Sequence, residues 1–128
     1  MTQPQAITPD PHTLHGQALR ALEEFRMHDA VRHLKAAVLL APREAVYWND
    51  LGVVLEALGH PTEALRCYRT ALDRENGHRE ARENYDLLRR QLAMVRALAP
   101  QNWTSTMARP AGGASAVARR RAAAASCI

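Results

Sequence analysis

At 128 residues, with only 5% aromatics, the chain has room for one domain with tails, and its core must come from Leu, Val and Ala. The net charge of +4 is confined to one end: up to Leu98, 13 basic residues balance all 13 acidic ones, and the excess is Arg109, Arg119, Arg120 and Arg121. The high isoelectric point therefore says nothing about a groove on the folded part. Cys67 and Cys127 make no disulfide framework, which is the usage expected of a cytoplasmic protein. No apolar run reaches the ~20 residues that cross a bilayer, and no secretory signal is read at the N-terminus.

Pro4, Pro9 and Pro11 among polar neighbours suggest a flexible leader over residues 1–11. A first helix is expected from about His12 to Phe25, with Thr13 as cap and Leu14, Ala18, Leu22 and Phe25 at helical spacing. Arg26, Met27 and His28 then form a turn. Asp29 is placed to cap a second helix that runs to about Leu40 and stops before Pro42. The third helix spans about Arg43 to Leu58, and Gly59 supplies the left-handed residue that closes it. Pro61 opens the fourth helix, because the first turn has no use for its missing N–H. That helix ends near Arg74, before the turn dipeptide Asn76-Gly77. A fifth helix follows, over residues 79–98, and Pro100 ends it. Residues 99–128 are rich in Ala and Arg with no acid, and are expected to be a disordered basic tail.

The chain repeats itself at a period of 34. Trp48, Leu51, Gly52, Ala64, Tyr68, Ala71 and Leu72 form one copy, and Leu14, Ala18, Ala30, Leu34, Ala37 and Val38 fall beneath six of its members in the preceding one. Such a period implies stacked helix pairs. Gly52 and Ala64 are small because the two helices of a hairpin meet there. Tyr68 is expected to fill the gap between neighbouring hairpins, and Ala71 to meet the next helix. In the fifth helix Asp86 stands beneath Gly52. A carboxylate is costly to bury at a close crossing, so this helix reads as a cap rather than the start of a third hairpin. Its covering face is Tyr85, Leu88, Leu92 and Val95.

These residues resemble the tetratricopeptide repeat. The second copy (45–78) carries Trp48, Leu51, Gly52, Leu55, Gly59, Ala64, Tyr68, Ala71 and Leu72, with Asn76 where Pro is usual. The first copy (11–44) departs further, with Gln17 for Leu and Phe25 for the turn Gly, but keeps Ala30, Ala37 and Pro42. The resemblance implies an all-α fold: a short α-solenoid of two helix-turn-helix repeats, a capping helix and a basic tail. It also implies a concave groove lined by the first helix of each hairpin. Three rows at the repeat period are then candidate partner contacts: Leu19, Val53 and Leu87; His15, Asn49 and Glu83; Leu22, Glu56 and Arg90. The implied occupant is a peptide or amphipathic helix of a partner protein. Some members grip a C-terminal carboxylate with Lys and Asn, but here His15, Leu19 and Asp50 occupy those places, and an aspartate repels such a ligand.

No catalytic, metal or cofactor site is expected. His12 and His15 lack further ligands at zinc spacing, and Gly112-Gly113 has no strand before it to form a phosphate loop. The implied role is a non-enzymatic adaptor or scaffold. The alternatives are a self-associating scaffold, and a regulator that meets nucleic acid or an anionic surface through Arg119–Arg121. Too few arginines and no neighbouring aromatic stand against nucleic acid. The predominance of Arg over Lys points to a GC-rich, bacterial genome.

Overall fold

The computed structural model describes residues 9–99. The tail, and nearly all of the leader, lie outside the described residues. Five helices follow one another: α1 (Pro11–Glu23), α2 (Met27–Leu40), α3 (Ala45–Ala57), α4 (Pro61–Arg74) and α5 (Arg79–Leu98). Helices α1 and α2 form one hairpin, α3 and α4 a second. Helix α2 packs on α3, and α5 closes the end by packing on α4 and touching α3. This is an all-α, tetratricopeptide-like solenoid.

Small residues set the helix crossings. Ala18, Ala21, Ala30, Ala37, Ala64, Ala71 and Ala81 are all fully buried. Leu34, Val54, Tyr68 and Leu88 fill the space between them. Burying each of these large apolar side chains contributes roughly 1.5–3 kcal/mol. A second, smaller cluster of Ala45, Ala71, Leu72 and Ala81, with Trp48 and Tyr85 against it, joins the second hairpin to α5. The expected cap face therefore does its work through Leu88, with Tyr85 and Leu92 packed on the core and Ala81 added to it. Trp48 also donates its indole N–H to the carbonyl of Pro42 at 2.8 Å, fixing the loop between the hairpins.

The helix ends differ in several places from the sequence expectation. The cap of α1 is Asp10, not Thr13: its carboxylate accepts from the Thr13 backbone N–H at 2.8 Å and from the Thr13 hydroxyl at 2.9 Å. These bonds hold the Asp10 carboxyl below its ordinary value. Pro11 then takes the first helical position. Phe25 is not part of α1. It follows the helix at φ 59, where the second hairpin has Gly59 at φ 86. The closing bonds match across the two copies: Phe25 N–H to Leu22 C=O and Arg26 N–H to Ala21 C=O, then Gly59 N–H to Glu56 C=O and His60 N–H to Leu55 C=O. This is the Schellman pattern that turns a chain out of a helix.

Because that turn is tight, α2 begins at Met27 and Asp29 is no cap. It lies in the first turn of α2, bonded to Arg26 and Arg32, and the Arg26 guanidinium holds its carboxyl below the usual range. Helix α3 starts two residues later than expected, since Glu44 N–H closes a turn onto Ala41 C=O. Tyr68 also differs. Its ring lies over Gly52 inside its own hairpin, and its hydroxyl donates to Glu56 Oε2 at 2.8 Å.

Candidate partner-binding face

The first helices of the array, α1, α3 and α5, meet edge to edge through a chain of polar contacts. His15 Nε2 is 2.6 Å from Asp50 Oδ2. Since a carboxylate can only accept, the proton sits on Nε2. Asn49 donates to the other Asp50 oxygen at 3.3 Å, and Asn84 donates to Asn49 Oδ1 at 3.0 Å. The His15 ring also leans on Tyr47, with centroids 4.9 Å apart. Burial, and then the Glu44 and Asp10 carboxylates, push the Tyr47 hydroxyl up from its ordinary range.

Two of these contacts link residues 35 apart. Equivalent residues in successive repeats are 34 apart, so a row of equivalents is not a row of touching side chains. The polar joint His15, Asp50, Asn49, Asn84 is the contacting set. The sequence rows contained His15 and Asn49 but missed Asn84, and Asp50 was read only as an obstacle to carboxylate binding. The signal was present in the offset of one residue.

The nine expected groove residues divide by exposure. Leu19 and Leu87 remain open, at 42% and 38%, and Val53 lies between them, partly buried against the core. Glu83 and Arg90 are exposed, and His15 is partly buried. Glu83 is held by Arg79 at 2.8 Å, and Arg90 bonds back to the Asp86 carbonyl. Leu22 packs against the core. Asn49 and Glu56 are buried. Asn49 is occupied by the joint, and Glu56 faces α4, where it takes the Tyr68 hydroxyl. Neither is free to meet a partner.

Among the described residues no three His, Cys, Asp or Glu side chains gather to hold a metal ion. No described helix is long and apolar enough to cross a membrane. Cys67 is a free, buried thiol, and burial pushes it up to about 11, with Glu63 adding to the rise. A thiol so protonated is a packing group at neutral pH.

Paired helices recurring every 34 residues, closed alike and crossing at Gly and Ala, define a helical-hairpin repeat protein. The tetratricopeptide repeat family matches residues 45–78, the whole of the second hairpin, which is thereby a repeat of that kind. No curated protein matches the chain, and no solved structure does.

Proposed function

We propose that the chain is a non-catalytic adaptor that holds a segment of a partner protein on the face formed by α1, α3 and α5. The family match supports protein–protein interaction as the general role. The observation that carries the finer reading is the row Leu19, Val53, Leu87. Two large apolar side chains of that row stay open to water in the middle of an otherwise polar face. Exposed Glu83 and Arg90 flank it and supply both signs of charge for orientation. The occupant suited to such a strip is a peptide or amphipathic helix with apolar anchors.

The test is partner capture by the wild type and by a Leu19→Ser/Leu87→Ser variant, alongside far-ultraviolet circular dichroism. The expected result is loss of the wild type's partner with unchanged helicity. Retention of that partner by the double variant removes the face from consideration.

A further inference from the structure

We infer that His78 is a proton-sensitive cap that loosens α5 from the second hairpin as pH falls through the histidine range. The first helices of the array start at equivalent positions, with Asp10, Glu44 and His78 at their N-caps. Asp10 accepts from the backbone N–H three residues on, at Thr13. His78 does the same at Ala81, through Nδ1 at 3.2 Å. Glu44 makes no such bond. A neutral imidazole offers one bare nitrogen, whereas an imidazolium carries hydrogen on both and accepts nothing. An ordinary histidine makes that change at about pH 6.5, so by about pH 5.5 the acceptor is lost.

The loss matters at α5 because the donor is buried. Thr13 is exposed, and water can replace the Asp10 oxygen there. Ala81 is 0% exposed, closed in with Ala45, Ala71 and Leu72, so its N–H has no water to turn to. A buried donor left without an acceptor costs the full desolvation of that group. A positive ring at a helix N-terminus also opposes the macrodipole. Both effects have one sign: the cap stabilises α5 above the histidine range, and that contribution is lost as pH falls through it.

The neighbouring charges do not titrate with the ring. They are Arg74 and Glu75 at the end of α4, Glu44 at the start of α3 beside the Ala45 that packs with Ala81, and Arg79, Glu80 and Arg82 on α5. Guanidiniums and carboxylates of these kinds keep their charge above about pH 5.5. A proton on His15 has the opposite sign, since it adds charge to the bond with Asp50. Uncapping frays the first turn of α5 and frees Ala81 from its cluster. Asn84 and Leu87 stand on the next two turns, so the change reaches the partner-binding face. That consequence rests on the partner-binding reading; the cap does not.

The experiment follows hydrogen exchange at the Ala81 amide by NMR, in the full chain, between about pH 7.5 and about pH 5.5, beside His78→Asn and His78→Ala. After correction for intrinsic exchange rates, wild-type protection should fall by roughly fivefold or more over that range. Asparagine keeps an acceptor at every pH, so His78→Asn should hold its protection. Alanine never has one, so His78→Ala should show at about pH 7.5 the low protection that the wild type reaches at about pH 5.5. The other five of the six histidines are common to all three proteins and cancel in the comparison. Wild-type protection that does not change with pH overturns the inference. So does an equal loss in His78→Asn, or a His78→Ala that keeps wild-type protection at about pH 7.5. No partner enters the measurement, so its failure leaves the partner-binding face standing.

Discussion

Gly52 lies directly beneath the ring of Tyr68. A Cβ placed on Gly52 stands 2.6 Å from Tyr68 Cε1, 2.8 Å from Cδ1 and 3.2 Å from the Ala64 carbonyl oxygen. The tyrosine cannot withdraw freely, because its hydroxyl is tied to Glu56. Glycine is therefore retained in mid-helix against its own poor propensity.

Replacement by alanine tests this. At an open helical site Gly→Ala gains up to about 1 kcal/mol, and Gly16 is such a site, with nothing within 4 Å of a built Cβ. Gly16→Ala should raise stability by about 0.5–1 kcal/mol. Gly52→Ala should lower it by about 1–2 kcal/mol, because overpacking outweighs the propensity gain. Urea titrations followed by circular dichroism give both numbers, and equal effects at the two sites contradict the close contact.

A second pair of equivalent positions differs in the same informative way. Phe25 and Gly59 close the first helices of the two hairpins, both at positive φ. A residue with a Cβ pays roughly 1–2 kcal/mol there, and Phe25, 61% exposed, recovers little of that by burial. Phe25→Gly should stabilise the chain by about 0.5–1 kcal/mol after the entropy that glycine costs the folded state. Gly59→Ala should destabilise by about 1 kcal/mol. The midpoints of urea unfolding, moving in opposite directions, are the result to look for.

The architecture was legible because close crossings demand small residues at fixed intervals, and Gly59, Pro61 and Pro42 punctuate the chain strongly. The ends of α1 and α2 were less so. Asp10 among prolines looks like a leader, yet it sits one residue before Pro11, where a cap belongs. Phe25 in a left-handed turn contradicts its local preference, and only its alignment beneath Gly59 reveals the turn. At the candidate face, Glu56 was misplaced for a similar reason. It lies four residues after Gly52, hence on the same side of α3 and facing α4. The same step on α4 leads from Ala64 to Tyr68, which meets it. Periodicity finds equivalent positions, but which of them touch depends on the stagger between helices.

Cys67 offers a chemical check on the packing of α4. With its thiol pushed up to about 11, the thiolate fraction near pH 8 is roughly a hundredfold below that of an ordinary cysteine. In a Cys127→Ser background, iodoacetamide should modify the folded protein at least that much more slowly than the urea-unfolded protein. The rate in the folded state should climb toward pH 11. Fast alkylation at pH 8 under folding conditions means that α4 is more open than this packing allows.

The joint between the hairpins is the last relation open to direct measurement. His15 and Asp50 are partly buried, and their 2.6 Å contact joins α1 to α3. Within a hairpin, large apolar surfaces meet. Between the first helices of the two hairpins, this pair supplies the orienting contact, so its loss should loosen how α1 sits on α3 more than it unfolds either hairpin. A double-mutant cycle with His15→Ala and Asp50→Ala should give a coupling of about 0.5–1 kcal/mol. Hydrogen exchange should then rise in α1 before it rises in α4, since α4 is held by Tyr68 and Ala71 on both sides. His15→Gln, which keeps a donor, should retain part of the coupling. Additive single effects, or exchange rising equally along the chain, would show that the apolar contacts of α2 with α3 set the joint without the pair.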